Sequence, residues 1–266
     1  GRSISLAHVV LEHGSATVGF EQYRPVLTQV LTLLPPQVSV TLLADRGFEH
    51  GELMRWLQRN NWSWAIRAKR DLQVTLPTGQ TKSVEQLLPP SEQAYLCPNV
   101  TVLGDITCHL ATANVPTANE AWAVLSDRPP SLQTFALYGK RFGGIEPHFK
   151  DYKSAAFDVL CSHLRDAQAL TCLFMLLDTA SLIALVLGTM LVHLGQIQWL
   201  DWHAQRGLSF LQLGLRNIQR LLYQGRPLPL LEILLCSNPP PASASKSKRE
   251  QLDYRTEFSR VSIVSS

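Results

Sequence analysis

Two acidic residues far apart in the chain, Asp45 and Glu146, stand beside residue types that bind phosphate. Asp45 directly follows an apolar run of strand length, and Glu146 lies in a segment that also holds Tyr138, Arg141 and Lys153. Divalent metal ions such as Mg²⁺ prefer carboxylate oxygens, and arginine and lysine bind phosphate. Two distant carboxylates with clustered cations are therefore typical of a site that holds a divalent metal against phosphate.

The spacing after Glu146 indicates one working face. In a helix, Lys150 lies four residues on and Lys153 seven, so both return near the Glu146 side. An ordinary amphipathic helix with solvated lysines explains the same spacing equally well. Asp45 likewise has a structural alternative, because a carboxylate after a strand often caps the next turn.

Composition sets broad limits on the class of protein. With 266 residues, 45% of them hydrophobic and 17% charged, the chain can bury a sizeable core. A net charge of +3 is too small to indicate a nucleic-acid partner by itself. The five cysteines are not closely paired, which fits a reducing compartment and excludes a structural zinc motif. Without an initiator Met or a signal-peptide core, the first residues are interpreted as a cut edge.

The first third of the chain predicts strands alternating with helices. The expected order is strand 3–12, helix 22–34, strand 38–44, helix 49–60 and strand 62–68. The continuous apolar run at 38–44 favours a strand covered on both faces. Asp45 then lies at its carboxyl end, where α/β sheets usually place their chemistry.

The rest of the chain changes character twice. Short apolar runs broken by Pro, Gly and Asn predict a β-rich insertion over residues 71–119. A buried-strand pattern returns at 121–125, and the pattern after Pro130 is helical to about residue 235. From 238 onwards the chain is low in hydrophobic residues and is expected to be flexible.

Residues 167–195 are apolar and long enough to span a bilayer. Asp178 lies near the middle of this segment, where a charge costs about 2.5–3.5 kcal/mol to insert. A single-span membrane protein therefore stays open as an alternative. The favoured interpretation is a helix, or two, buried in the core of a protein outside the membrane.

Several of these motifs resemble DDE transposases of bacterial insertion sequences, in the group marked by a Tyr-Arg-Glu-Lys signature. The segment Leu-Ala-Asp45-Arg-Gly-Phe is similar to the one that carries their second catalytic Asp. Residues 121–127 resemble the strand before the catalytic Glu. The four signature positions correspond to Tyr138, Arg141, Glu146 and Lys153.

The resemblance implies an α/β fold with a ribonuclease-H-like core, here lacking its first strand, a β-rich insertion and a helical C-terminal part. It implies Asp45 and Glu146 as catalytic ligands of Mg²⁺, with Mn²⁺ as a substitute, and Tyr138, Arg141 and Lys153 as contacts to DNA; the helical spacing from Glu146 adds Lys150 to these contacts. The expected partners are transposon ends and target DNA, bound by a homodimer on paired ends in the bacterial cytoplasm, associated with the nucleoid and not with membrane. The corresponding domains are 1–70 and 120–195 for the catalytic core, 71–119 for the insertion, 196–237 for C-terminal helices and 238–266 for the tail.

Two departures from the family pattern carry predictions of their own. Four residues separate Arg141 from Glu146 where the family usually has three, so we expect a helix irregularity near Gly143 and Gly144. The only acids before Asp45 are Glu12 and Glu21, and neither follows a strand of the expected type. The chain is therefore interpreted as the C-terminal part of a transposase that cannot complete transposition alone. The alternative is an inactive remnant that binds DNA.

Overall fold

The computed structural model describes residues 3–12, 14, 18–115, 120–203, 206–229 and 258–264, without the side chains of 140–143, 154 and 155. These residues form two compact units. Unit 1 comprises residues 11–148 and 258–264, and unit 2 comprises residues 3–10 and 149–229.

Unit 1 is built on one eight-stranded sheet. The strands are β1 (Thr41–Ala44), β2 (Ser63–Arg67), β3 (Gln73–Thr75), β4 (Thr81–Ser83), β5 (Gln93–Val102), β6 (Ile106–Asn114), β7 (Trp122–Ser126) and β8 (Arg260–Ile263). Their spatial order is β1-β2-β7-β6-β5-β3-β4, and β8 pairs with β5. The helices of this part of the chain are α1 (Phe20–Leu33), α2 (Gly51–Arg59) and α3 (Leu132–Lys150).

Strand directions bring distant parts of the sequence to one end of the sheet. β1 and β2 are parallel, whereas β7 is antiparallel to β2. The carboxyl ends of β1 and β2 therefore lie at the same end as the start of β7 at Trp122. We call this the Asp45 end of the sheet, because Asp45 directly follows β1.

Helices cover the sheet on both faces, because successive residues of its central strands are apolar on both sides. Along β2, Ile66 faces a cluster that contains Met54 of α2, and the adjacent Ala65 faces the opposite cluster with Phe135 and Tyr138 of α3. Alternate side chains of a strand point to opposite faces, so a run that is apolar throughout is buried on both. Each large apolar side chain fully buried in this way contributes about 1.5–3 kcal/mol.

The predicted helices at 22–34 and 49–60 and the predicted strands at 38–44 and 62–68 are confirmed as α1, α2, β1 and β2. The predicted strand at 3–12 is wrong, because these residues form no strand in the described chain. β-branched composition favours an extended backbone, but a strand also needs a neighbour to pair with.

The prediction of a flexible tail is wrong for residues 260–263. They form β8, which runs parallel to residues 93–96 of β5, and the amide of Val264 extends the pairing by donating to the carbonyl of Leu96 at 2.8 Å. Phe258 packs against the cluster of α3. The rest of the predicted tail, apart from 258–264, lies outside the described residues.

The expected irregularity near Gly143 and Gly144 is also wrong. α3 continues without a break to Lys150, and the irregular turn comes later, as a π-helical turn over Asp151–Ala155. Glycine lowers helix propensity by about 1 kcal/mol relative to alanine, but it permits α geometry and does not force a break. At about 100° per residue, positions 141 and 146 are therefore about 140° apart around the helix axis.

Unit 2 is organised around two helices, α4 (Ala167–His193) and α5 (Phe210–Tyr223). They approach closely at Gly188 and Gly214, where a Cβ atom would lie 1.8 Å from the carbonyl oxygens of Phe210 and Ala184, respectively. Small residues four apart, here Ala184 and Gly188, allow such a close backbone approach.

The prediction that residues 167–195 are buried is wrong for most of α4. Its buried residues are Ser181, Ala184, Leu187, Gly188, Thr189 and Leu191. Others, such as Met175 and Leu176, are exposed. By length and composition α4 is able to cross a membrane, and one such helix is weak support for that, because the core helices of many proteins meet the same criteria.

Asp178, in the middle of α4, has two partners. His8 Nδ1 lies 3.0 Å from one carboxylate oxygen, and the hydroxyl of Tyr152 donates to the other. Burial raises the pKa of Tyr152, and its bond to Asp178 raises it further. The acid in this apolar helix is thus tied to two other segments of unit 2.

Candidate active site at one end of the sheet

Asp45 is exposed at the end of β1 and caps the turn that follows. Its Oδ1 accepts a hydrogen bond of 2.9 Å from the amide of Gly47, at the start of the 3₁₀ turn Arg46–Phe48. This is the capping role left open by the sequence. One oxygen is used by the cap, and carboxylates commonly combine such a bond with a second partner.

Glu120, just before β7, joins two arginines at the same end of the sheet. Its Oε1 lies 2.9 Å from Nη2 of Arg46 and 2.8 Å from Nη2 of Arg67. The arginines come from the segment after β1 and from the last residue of β2. Glu120 therefore neutralises much of the positive charge beside Asp45.

Glu49 is a buried carboxylate near this end of the sheet. Its Oε2 accepts a hydrogen bond of 2.6 Å from the amide of Lys69, two residues beyond β2. Burial raises the pKa of Glu49, partly offset by that bond and by the charge of Lys69. The side chain fastens the turn after β1 to the segment after β2, so its oxygen is already engaged.

Glu146 lies on α3, which follows β7 directly in the chain. Only residues 127–131 connect β7 to α3, so α3 starts near the far end of the sheet. Its Tyr138 ring lies 6.0 Å from that of Trp122, at the start of β7. The helix therefore runs back towards the Asp45 end, and Glu146 lies about 12 Å further along it than Tyr138. Its side chain is exposed.

Tyr138, expected to contact DNA, is buried. Only 1% of it is exposed, and its ring meets Trp122 edge to face. In this position the side chain anchors α3 to the sheet. The spacing to Arg141 predicted a shared helix face, but spacing does not say which face packs inward.

The three expected cations are placed unequally. Arg141 belongs to α3, but its side chain lies outside the described part of the chain. Lys150 is the last residue of α3, and Lys153 lies in the π-helical turn; both are exposed. The seven-residue spacing from Glu146 assumed α geometry throughout, whereas Lys153 lies in a π turn, which has more residues than an α turn.

A metal at this end of the sheet would find an incomplete set of ligands. Among the described residues, no three side chains of His, Cys, Asp or Glu stand together in a way that suits a metal ion. Glu120 and Glu49 are engaged with arginines and with a backbone amide. Asp45 and Glu146 alone leave most of the usual six oxygen positions of Mg²⁺ to water or to another carboxylate.

The family model of the Transposase DDE domain matches residues 16–187, which is more than half of the chain. The chain belongs to this family. The match takes in both Asp45 and Glu146, and it ends within α4, before α5. No curated protein matches the chain.

The sequence did not single out three charged residues at the Asp45 end of the sheet. Arg67 lies at this end because β2 is parallel to β1, Glu120 because β7 is antiparallel to β2, and Glu49 is fastened there by its bond to Lys69. The alternation of apolar residues contains no information on strand direction. The one signal in the sequence that could have identified these residues is the position of a charged residue at the end of a predicted strand.

Proposed function

We propose that this chain is a transposase of the Tyr-Arg-Glu-Lys group, in which Asp45 and Glu146 are two of the catalytic carboxylates. It cleaves a DNA strand at the ends of an insertion sequence, and the freed 3′-hydroxyl then attacks the complementary or target strand. Mg²⁺, or Mn²⁺ in its place, is the ion that the two carboxylates would share. Arg141, Lys150 and Lys153 contact phosphates of the DNA, whereas the buried Tyr138 keeps α3 in place.

One observation carries the proposal. Asp45 follows a strand and Glu146 lies near the end of a helix; the strand directions and the contact of Tyr138 with Trp122 support the proposal that both face one end of the sheet. Carboxylates that meet from different elements are what metal-assisted phosphoryl transfer requires.

The fold we propose is a ribonuclease-H-like core whose first strand lies outside the described residues. Among the described strands, β1 has only β2 as a neighbour, so its other edge is open to pairing. A strand added there would end beside Asp45 if it ran parallel to β1. A terminal Asp on it would supply the carboxylate that the site lacks.

The partners follow from the reaction. Transposon ends and target DNA are the substrates, and a homodimer would hold two ends together. We place the protein in the bacterial cytoplasm, at the nucleoid. The tail and the helices after residue 195 have no assigned part in the chemistry.

Cleavage of DNA that flanks the gene, which would contain the ends of the element, tests the proposal. We expect Mg²⁺-dependent strand cleavage when an upstream strand ending in Asp is joined to this chain, and loss of cleavage in both Asp45→Ala and Glu146→Ala. Glu85→Ala is the matched control, because Glu85 is an exposed acid whose nearest cation, on Arg70, is 3.9 Å away. Cleavage that survives Asp45→Ala would refute the assignment. Cleavage by the 266-residue chain alone would show that no further carboxylate is needed.

A second candidate is a DNA-binding remnant without catalytic activity. The absence of a three-ligand cluster among the described residues favours it. It predicts that adding the upstream strand restores no cleavage while DNA binding persists. The same experiment therefore separates the two.

A further inference from the structure

The loop between α4 and α5 presents two large aromatic side chains to solvent. Trp199 is 73% exposed and Trp202 is 83% exposed. The ring of Trp202 lies flat on that of His203, with 4.0 Å between centroids and 25° between planes. Leaving an indole ring in water is unfavourable. Two tryptophans exposed in one loop therefore indicate a binding surface.

A buried carboxylate holds this loop in shape. The side chain of Asp201 is fully buried and accepts hydrogen bonds from the amides of Gly207 at 2.8 Å and Leu208 at 3.0 Å. It also accepts from the amide of His203, and His203 Nδ1 lies 2.5 Å from it. The aromatic rings are therefore presented by a fixed backbone, which reduces the entropy lost when a ligand binds.

Positive charge continues the surface along α5. Arg216 donates from Nη1 to the carbonyl of Leu200 at 2.9 Å, which fixes its guanidinium to the backbone of the residue that follows Trp199 and precedes Asp201 and Trp202. Arg216, Arg220 and Tyr223 follow at the spacing of one helix face, and Tyr223 is exposed. Asp201 is the only acid between residues 194 and 229, against four arginines.

We propose that Trp199, Trp202 and the Arg216 face of α5 form a binding surface for unpaired nucleotides of the DNA substrate. Arginines meet the phosphate backbone, whether the DNA is single or double stranded. Flat exposed rings stack on bases only where the bases are not already stacked in a duplex. A surface that combines both should prefer single-stranded or frayed DNA. That the ligand is DNA rests on the proposed function. The surface lies beyond the part of the chain that matches the family.

The test is binding of a fluorescent 20-nucleotide single strand and of the matching duplex, followed by anisotropy in the absence of Mg²⁺, so that cleavage plays no part. We expect Trp199→Ala/Trp202→Ala to weaken binding of the single strand about tenfold or more, in line with the measured worth of one or two base stacks. Duplex binding should change less than about twofold. Phe at both positions should restore much of the single-strand affinity, because a phenyl ring still stacks.

Two further variants separate charge from stacking. Arg216→Gln should weaken binding to both DNA forms and reduce the dependence of affinity on salt. Leu222→Ala, an exposed apolar residue of α5, is the control and should change neither. Equal single-strand affinity of the double variant and the wild type overturns the proposal. So does loss of binding to vesicles of anionic phospholipid with unchanged DNA binding, which would assign the tryptophans to a membrane surface.

The binding test of this surface and the cleavage test of the proposed function can fail independently of each other. If the tryptophan variants bind the single strand normally while Asp45→Ala abolishes cleavage, the transposase assignment stands and this surface does not. If the tryptophan variants lose the single strand while no carboxylate variant affects cleavage, the surface stands and the catalytic assignment does not.

Discussion

At the scale of single residues, Asp201 gives the clearest pH dependence. Burial of its carboxylate raises the pKa, but hydrogen bonds from His203, Gly207 and Leu208 outweigh burial and lower the pKa to about 2. A pKa below the ordinary value means that the folded state is favoured while the group is ionised. The stability it contributes is present above about pH 4 and is lost as the pH falls towards 2.

We therefore predict that Asp201→Asn lowers the urea midpoint of unit 2 at pH 5 and that this difference shrinks at pH 2.5. Urea unfolding followed by tryptophan fluorescence measures both, since Trp202 is next to the substituted residue. The same difference at the two pH values would show that the ionised carboxylate is not what holds the loop.

Thiol reactivity tests the sheet of unit 1 at the same scale. Burial raises the pKa of Cys97 to about 11 and that of Cys108 to about 12, and both side chains lie inside the core. Cys161 and Cys172 are exposed. In a Cys236→Ser variant, which removes a thiol outside the described residues, we predict that a thiol reagent at pH 8 labels Cys172 fastest.

Cys161 should react more slowly than Cys172, because its bond to the Asp158 carboxylate raises the pKa of its thiol. Cys97 and Cys108 should react only in denaturant, because a thiol must be both deprotonated and accessible. Mass spectrometry of the labelled peptides gives the order. Rapid labelling of all four thiols that remain in this variant would contradict the packing of β5 and β6.

At the scale of elements, the crossing of α4 and α5 makes a steric prediction. A methyl group at Gly188 or Gly214 would meet a backbone carbonyl at 1.8 Å, and the backbone cannot yield as a side chain would. We predict that Gly188→Ala and Gly214→Ala each lower the free energy of unfolding by about 3 kcal/mol, at the upper end of overpacking costs.

Gly139→Ala in α3 is the matched control. Its Cβ would lie 3.9 Å from Trp122, which is ordinary contact, so the alanine should stabilise the helix by up to about 1 kcal/mol. Urea unfolding of the three variants measures these changes. Wild-type stability in Gly188→Ala would mean that the two helices do not pack as described.

Local pattern was sufficient for elements whose partners are close in sequence. The helix predicted at 49–60 and the strand predicted at 62–68 are present as α2 and β2, and residues of both, such as Leu53 and Trp64, are buried. The predictions for two other segments were wrong: residues 3–12 form no strand, and residues 260–263, expected to be flexible, form β8. Pairing with a distant strand decided both, and the residues within each segment do not encode it.

The candidate site was predictable to the same degree. Asp45 was expected at a strand end and lies there, since a polar residue that ends an apolar run marks that position. The burial of Tyr138 and the joining of Arg46 and Arg67 by Glu120 depend on which helix face packs and on strand direction. Those are properties of the assembled sheet.

At the scale of the whole molecule, unit 1 combines a mixed sheet with a helix that follows its β7 strand. We propose that the antiparallel pairing of β7 with β2, followed by a helix that returns along the sheet, brings Asp45 and Glu146 to one end, where a divalent ion would bind between them. The claim requires the two segments to be close in space at the moment an ion is held. It does not depend on DNA cleavage.

Metal-directed backbone cleavage measures this most directly. Fe²⁺ takes oxygen ligands and, with ascorbate and peroxide, generates hydroxyl radicals that cut the polypeptide only near the bound ion. We predict two sets of fragments, cut near residues 45 and 146, both suppressed by excess Mg²⁺ and both lost in Asp45→Asn, with Glu85→Ala unchanged. Cleavage near one residue without the other, or fragments that persist in Asp45→Asn, would contradict it.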